Sequence, residues 1–212
     1  MKDDTDVVAV LTGDIVGSTS LSDAKYEDMQ YTLYSELTDI CTSNSNRYEI
    51  TRGDAFQLII TAPEKAAIYS LLIRASLKGR GYDCRISIGI AKNSTLRDSV
   101  SKSTGEAFIL SGRSLDKMKA ESLVVSTSND RFNEDLKLLT KYVDRHVSKM
   151  TSLQCQIGYY LLKTNNKLTQ REIAEMIGVS RVTVTRSIGA AEIYLLRDYV
   201  DFFSKKVKEI FI

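Results

Sequence analysis

Asp14 follows the apolar run Val7–Thr12 through one glycine, and Gly17, Ser18 and Thr19 come just after it in "GDIVGSTS". A carboxylate at the end of a buried strand, followed by small residues, suits two purposes. One is a tight turn in which the aspartate satisfies neighbouring N–H groups. The other is a site for a metal-bound phosphate. There Asp14 is an oxygen ligand of a divalent cation, and Gly17, Ser18 and Thr19 let main-chain N–H groups and a helix start approach the anion. A second carboxylate, Asp54, lies in "RGDAF" between two further apolar runs. Paired carboxylates bind Mg²⁺ or Mn²⁺ while leaving positions open for phosphate oxygens. No other cofactor is expected.

These residues need a scaffold that brings them together. "VVAVLTG" is β-rich and almost continuously apolar, as a central strand is. Tyr26, Met29, Leu33, Leu37, Ile40 and Cys41 recur at helical spacing, with Ser22 as N-cap. "RYEIT" and "AFQLIIT" flank Arg52-Gly53-Asp54 as a hairpin. A helix follows Pro63, then the strand "DCRISIGIA", a helix from Glu106 to Lys119 and the strand "SLVVST". The order β-α-β-β-α-β predicts an α+β, ferredoxin-like antiparallel sheet covered on one face by helices. In such a sheet Asp14 and Asp54 sit on neighbouring strands. From Asn133 the period is helical throughout, which predicts an α+β domain over 1–129 and an all-α domain over 130–212 ending in a long helix.

Composition narrows the function classes. Of 212 residues, 43% are hydrophobic and 26% charged, ordinary for a soluble protein. No apolar run reaches the roughly 20 residues that span a bilayer, and the acidic start "MKDDTD" has no signal-peptide form. Three scattered cysteines match no metal-ligand spacing, and a single histidine, His146, excludes a multi-histidine site. A cytoplasmic location with reduced thiols and no membrane partner is expected. Residues 1–129 carry 15 Lys and Arg against 17 Asp and Glu, net −2; residues 130–212 carry 14 against 10, net +4. A basic carboxy-terminal part is compatible with a polyanionic partner.

That part contains "LTQREIAEMIGVSRVTVTRSIGAAEIYLL", which resembles a helix-turn-helix of bacterial transcription factors over about residues 168–190. Ile173, Ala174 and Ile177 form an inner face, Gly178 stops the first helix and Ser180 caps the second. Arg181, Val182, Thr185 and Arg186 then face outward with Ser180, in the pattern of major-groove reading of double-stranded DNA. An ordinary helical hairpin is the other reading. Ile193, Leu196, Tyr199, Val200, Phe203, Val207 and Ile210 continue as an amphipathic stripe that must bury against a partner helix or the first domain. A homodimer is expected.

"GDIVGSTSL", "RGDAFQLII", "CRISIGIA" and "GEAFILSGRSL", in that order, resemble the class III nucleotidyl cyclase domain. The resemblance implies that Asp14 and Asp54 bind metal. It also implies that Arg113 is the arginine that stabilises phosphoryl transfer across a head-to-tail dimer. Ile50 stands where such cyclases carry a purine-selecting lysine, Lys102 where a partner aspartate is expected, and Ile109 where an asparagine orients the ribose. Over nearly its whole length the chain also resembles the bacterial SatD-like family. The substituted purine-reading positions favour a DNA-binding transcriptional regulator whose degenerate cyclase-like domain senses a nucleotide or only dimerises. The alternative is a nucleotidyl cyclase or related metal-dependent phosphoryl-transfer enzyme, with Arg113 as its catalytic residue.

Overall fold

The computed structural model describes residues 7–42, 45–51, 53–92, 94–165 and 167–212. The acidic start and Arg52 of the expected hairpin turn lie outside the described residues. The chain runs β1 (Val8–Ile15), α1 (Asp23–Thr42), β2 (Arg47–Thr51), β3 (Ala55–Ile60), α2 (Ala66–Gly79), β4 (Cys84–Ala91), β5 (Ser94–Thr95), β6 (Thr104–Gly105), α3 (Glu106–Lys117) and β7 (Leu123–Thr127). It ends in five helices: α4 (Asp130–Lys149), α5 (Ser152–Lys163), α6 (Gln170–Ile177), α7 (Arg181–Ala190) and α8 (Tyr194–Phe211). This is an α+β ferredoxin-like sheet followed by a helical region.

The main sheet has the order β2-β3-β1-β4-β7. β1 is central and pairs antiparallel with both β3 and β4, placing Asp14 opposite Ala55 on one side and Arg85 on the other. β7 joins β4 in parallel, because α3 carries the chain back along the sheet before the last strand begins.

The expectation of helices on one face alone is corrected. Ala9, Leu11, Ile86, Ile88 and Ile90 belong to the large core beneath α1 and α2. Val8, Val10 and Ala91 pack on the opposite face with Ala107 of α3. Gly89 permits that second layer: a Cβ there would stand 2.2 Å from the Ala107 carbonyl oxygen. Thr12 and Ser111 share a 2.8 Å hydroxyl bond across the same seam. Near-continuous apolar sequence in β1 is therefore what burial on both faces requires.

The carboxy-terminal helices add to the large core rather than forming a detached one. Leu196, Tyr199, Val200, Phe203, Val207 and Phe211 of α8 are buried within the same chain. Phe132 of α4 meets Phe203 and Phe211 edge-on, with ring centroids 6.1 and 5.3 Å apart. Arg74 of α2, fully buried, bonds Asp144 of α4 at 2.8 Å and Asp83 at 3.1 Å. Local signals set the helix ends. Asn129 caps α4, capping boxes at Thr151 and Thr169 open α5 and α6, and Gly178 closes α6 at φ 78°.

Candidate functional site

The end of β1 and the β2–β3 turn build the site. Ile15 donates its main-chain N–H to the Asp54 carbonyl at 3.0 Å, so the turn that carries Asp54 is fastened to the strand end that carries Asp14. Gly53 in that turn takes φ 78°, and its carbonyl accepts from Gln30 of α1 at 3.3 Å. Beyond the strand, Gly17 takes φ 69° and opens a single 3-10 turn, Ser18–Ser20, ahead of α1. Ser18 is buried and donates its hydroxyl to Asp54 Oδ2 at 2.7 Å, whereas Gly17 and Thr19 are exposed. The small-residue loop thus folds over Asp54.

Asp14 has a different partner. Arg85, its cross-strand neighbour on β4, donates Nε to Oδ1 at 2.8 Å and Nη2 to Oδ2. The bond to Asp14 holds the guanidinium pKa above its ordinary value. Sequence reasoning missed Arg85, although a signal was present: it is the one charged residue within "CRISIGIA". Fork-shaped donation to both oxygens neutralises Asp14 and fixes its orientation.

Oxygen donors from Asp14, Asp54 and Ser18 match in type what a hard divalent cation takes. Asp54 Oδ1 accepts no hydrogen bond among the described residues. Arg85 is the obstacle, since an ion bound to Asp14 competes with it. Among the described residues there is no group of three or more His, Cys, Asp or Glu able to hold a metal. The β1 end thus carries Asp14 paired to Arg85, and the turn fastened to it carries Asp54 bonded by Ser18.

Arg113 lies exposed on α3, with no hydrogen bond or ion pair among the described residues. Ile109, one turn earlier, is 51% exposed, Lys102 is exposed and Ile50 is half-buried on β2. In the helical region, Ser180 caps α7 by accepting from the Thr183 N–H at 3.1 Å. Arg181, Val182, Thr185 and Arg186 are exposed. Thr185 donates to Gln170 of α6 at 2.6 Å. No helix among the described residues is long and apolar enough to cross a membrane.

No protein-family model matches the sequence, and no curated protein matches it. Among solved structures the chain is similar to a bacterial light-regulated adenylyl cyclase, at 15% identity over 57% of this chain and 75% of that one, TM-score 0.45. It is similar to the guanylyl cyclase Cya2 at 15% identity over 57% and 74%, TM-score 0.43. It is also similar to the adenylyl cyclase CyaB from P. aeruginosa at 16% identity over 64% and 81%, TM-score 0.41. All three are nucleotidyl cyclases. The expectation of a DNA-binding transcriptional regulator with a degenerate sensory domain is corrected by these matches, and at 15–16% identity the likeness is one of fold.

Proposed function

We propose that this chain is a nucleotidyl cyclase-type, SatD-like protein that binds a nucleoside triphosphate at Asp14, Asp54 and the Gly17–Thr19 turn. The observation that carries the reading is the fastening of the Asp54 turn to the end of central strand β1, which joins the segments bearing Asp14, Asp54 and the small-residue loop at one end of the strands. Asp14 and Asp54 would hold Mg²⁺ or Mn²⁺, which supplies positive charge against the triphosphate. Main-chain N–H groups of Gly17, Ser18 and Thr19 orient phosphate oxygens. Arg85, once released from Asp14, offers a second fork of donors to the same anion. Arg113, exposed and without a partner among the described residues, suits a head-to-tail homodimer in which it reaches the other protomer's triphosphate. In the cyclisation the ribose 3′-hydroxyl loses its proton to solvent as its oxygen bonds to the α-phosphorus, while the bond from that phosphorus to the β-phosphate's bridging oxygen breaks. Pyrophosphate then leaves. Ile50, Lys102 and Ile109 provide no purine-reading pattern of the cyclase kind, so selectivity between adenine and guanine is weak.

The test is Mn²⁺ with ATP or GTP, read both as a thermal shift and as product. Wild type gains stability and releases cyclic nucleotide and pyrophosphate, while Asp14→Asn with Asp54→Asn shows neither. A shift or product that survives in the double variant overturns the reading, as does the absence of both from wild type.

A further inference from the structure

A second site lies away from the strand ends, where α1, α2, α5 and α6 enclose a cleft of about 450 Å³. Glu36 of α1 helps to line it and is 4% exposed. Its Oε2 accepts the Tyr159 hydroxyl of α5 at 2.7 Å, while its Oε1 is buried with no hydrogen-bond partner among the described residues. A buried carboxylate with one oxygen unmatched is costly, and such groups are rare without a reason.

The neighbouring cations do not supply what Glu36 lacks. Lys163 donates to the Tyr159 hydroxyl, and its charge is bridged to Asp39 at 2.9 Å. Arg80, on the rim, is bridged to Asp28 at 2.9 Å. Each positive group is matched by its own carboxylate, so Glu36 is left as the unbalanced acid of the set. Hydroxyl-bearing Ser35 and Ser76, aromatic Tyr31 and Tyr160, and apolar Met176 and Ile177 also line the cleft.

We infer that this cleft is a binding site for a small organic cation, a primary alkylammonium, with Glu36 as its counter-ion. An ammonium is a compact donor with three N–H bonds, suited to one free carboxylate oxygen and nearby hydroxyls. Tyrosine faces attract the same charge, and the apolar wall takes an alkyl body of a few carbons. Burial raises the Glu36 pKa. The ligand restores the ionised form by bringing the missing charge with it. Because α6 closes a cleft floored by α1 and α2, occupancy clamps the carboxy-terminal helices onto the sheet layer. None of this depends on the triphosphate site.

The experiment titrates the full chain with n-butylammonium chloride, using n-butanol and sodium chloride as controls. Calorimetry and thermal shift should show saturable binding of the ammonium and none of the alcohol. Glu36→Gln keeps the acceptor for Tyr159 and should bind about tenfold more weakly, the loss of one charge-assisted contact. Ser76→Phe, which fills the cleft with Glu36 intact, should abolish binding and covers the case in which the first variant folds poorly. Equal binding of n-butanol, undiminished binding by either variant, or no binding by wild type at millimolar ligand overturns the inference.

Discussion

Arg85 and Asp14, neighbours across β4 and β1, form a two-pronged ion pair at the mouth of the sheet. The pair occupies the carboxylate that the proposed function assigns to a cation. Removing the guanidinium leaves Asp14 without its resident positive charge, and under the proposed function a cation takes that place. Arg85→Gln should therefore bind Mn²⁺ severalfold more tightly than wild type in the absence of nucleotide, measured by electron paramagnetic resonance. Asp14 and Arg85 are both partly exposed, so overall stability should fall by no more than about 1 kcal/mol. Unchanged or weaker Mn²⁺ binding would remove Arg85 as the competitor.

Arg74 and Asp144 join α2 to α4 out of contact with water. Asp144 also accepts the Ser122 N–H at 3.0 Å ahead of β7. Asp144→Ala leaves Asp83 as the remaining carboxylate on buried Arg74 and strips Nη1 and the Ser122 N–H of their acceptor. The expected cost is about 1–3 kcal/mol in urea unfolding, the scale of buried donors left unsatisfied. A loss below about 1 kcal/mol, the scale of an exposed pair, would mean that water reaches Arg74.

The layers that hold these pairs were unevenly legible. β1, the hairpin and the helix after Pro63 follow from apolar period and turn residues close in sequence. The caps at Ser180 and Gly178 follow from short-range geometry too. The placement of α3 did not, because β1 is apolar on both faces while one face of β4 carries Arg85, Ser87 and Gly89, and neither pattern says which helix covers that side. Arg85 was overlooked for a related reason: its partner is set by strand register, 71 residues away in the chain. Glu36 falls three residues after Leu33 and four before Ile40, on the buried stripe, which was a readable signal. The sequence around Ser180 folds as its local pattern predicts, α6 turning into α7. Similar local geometry serves unrelated functions, and that is where the regulator reading went astray.

Glu36 makes stability depend on pH. Its folded-state pKa is raised above the ordinary 4.5, chiefly by burial, while the Tyr159 hydroxyl bond and Lys163 oppose the shift and Asp39 adds to it. Tyr31, Tyr160 and Arg80 also line the cleft. The folded state therefore holds a proton that the unfolded chain has released. Glu36 contributes fully below the unfolded value, and that contribution is lost as pH rises through the raised folded value. Wild type should lose urea resistance over this window relative to Glu36→Gln, which has no proton to release. Parallel curves for the two proteins from pH 4 to pH 8, on the order of the carboxylate and histidine ranges, would show that Glu36 ionises normally.

Two glycines of the α3 layer give the last test, because they should respond in opposite directions. At Gly89 an added Cβ meets the Ala107 carbonyl oxygen at 2.2 Å and the Ser111 nitrogen at 2.7 Å. Both are main-chain atoms that cannot turn aside, so Gly89→Ala must push α3 off the sheet. The expected cost is about 1–3 kcal/mol, the range for overpacking a dense core. At Gly112, within α3 itself, a Cβ meets nothing within 4 Å. Gly112→Ala should then gain about 0.5–1 kcal/mol from helix propensity alone. Urea unfolding of both variants separates seating from propensity. If α3 only rests loosely on β4, Gly89→Ala loses no more than a surface change would. If the seam is as tight as Thr12 and Ser111 indicate, that variant also moves Arg113, which rides on the same helix. Any cyclic-nucleotide formation should then fall in Gly89→Ala while persisting in Gly112→Ala.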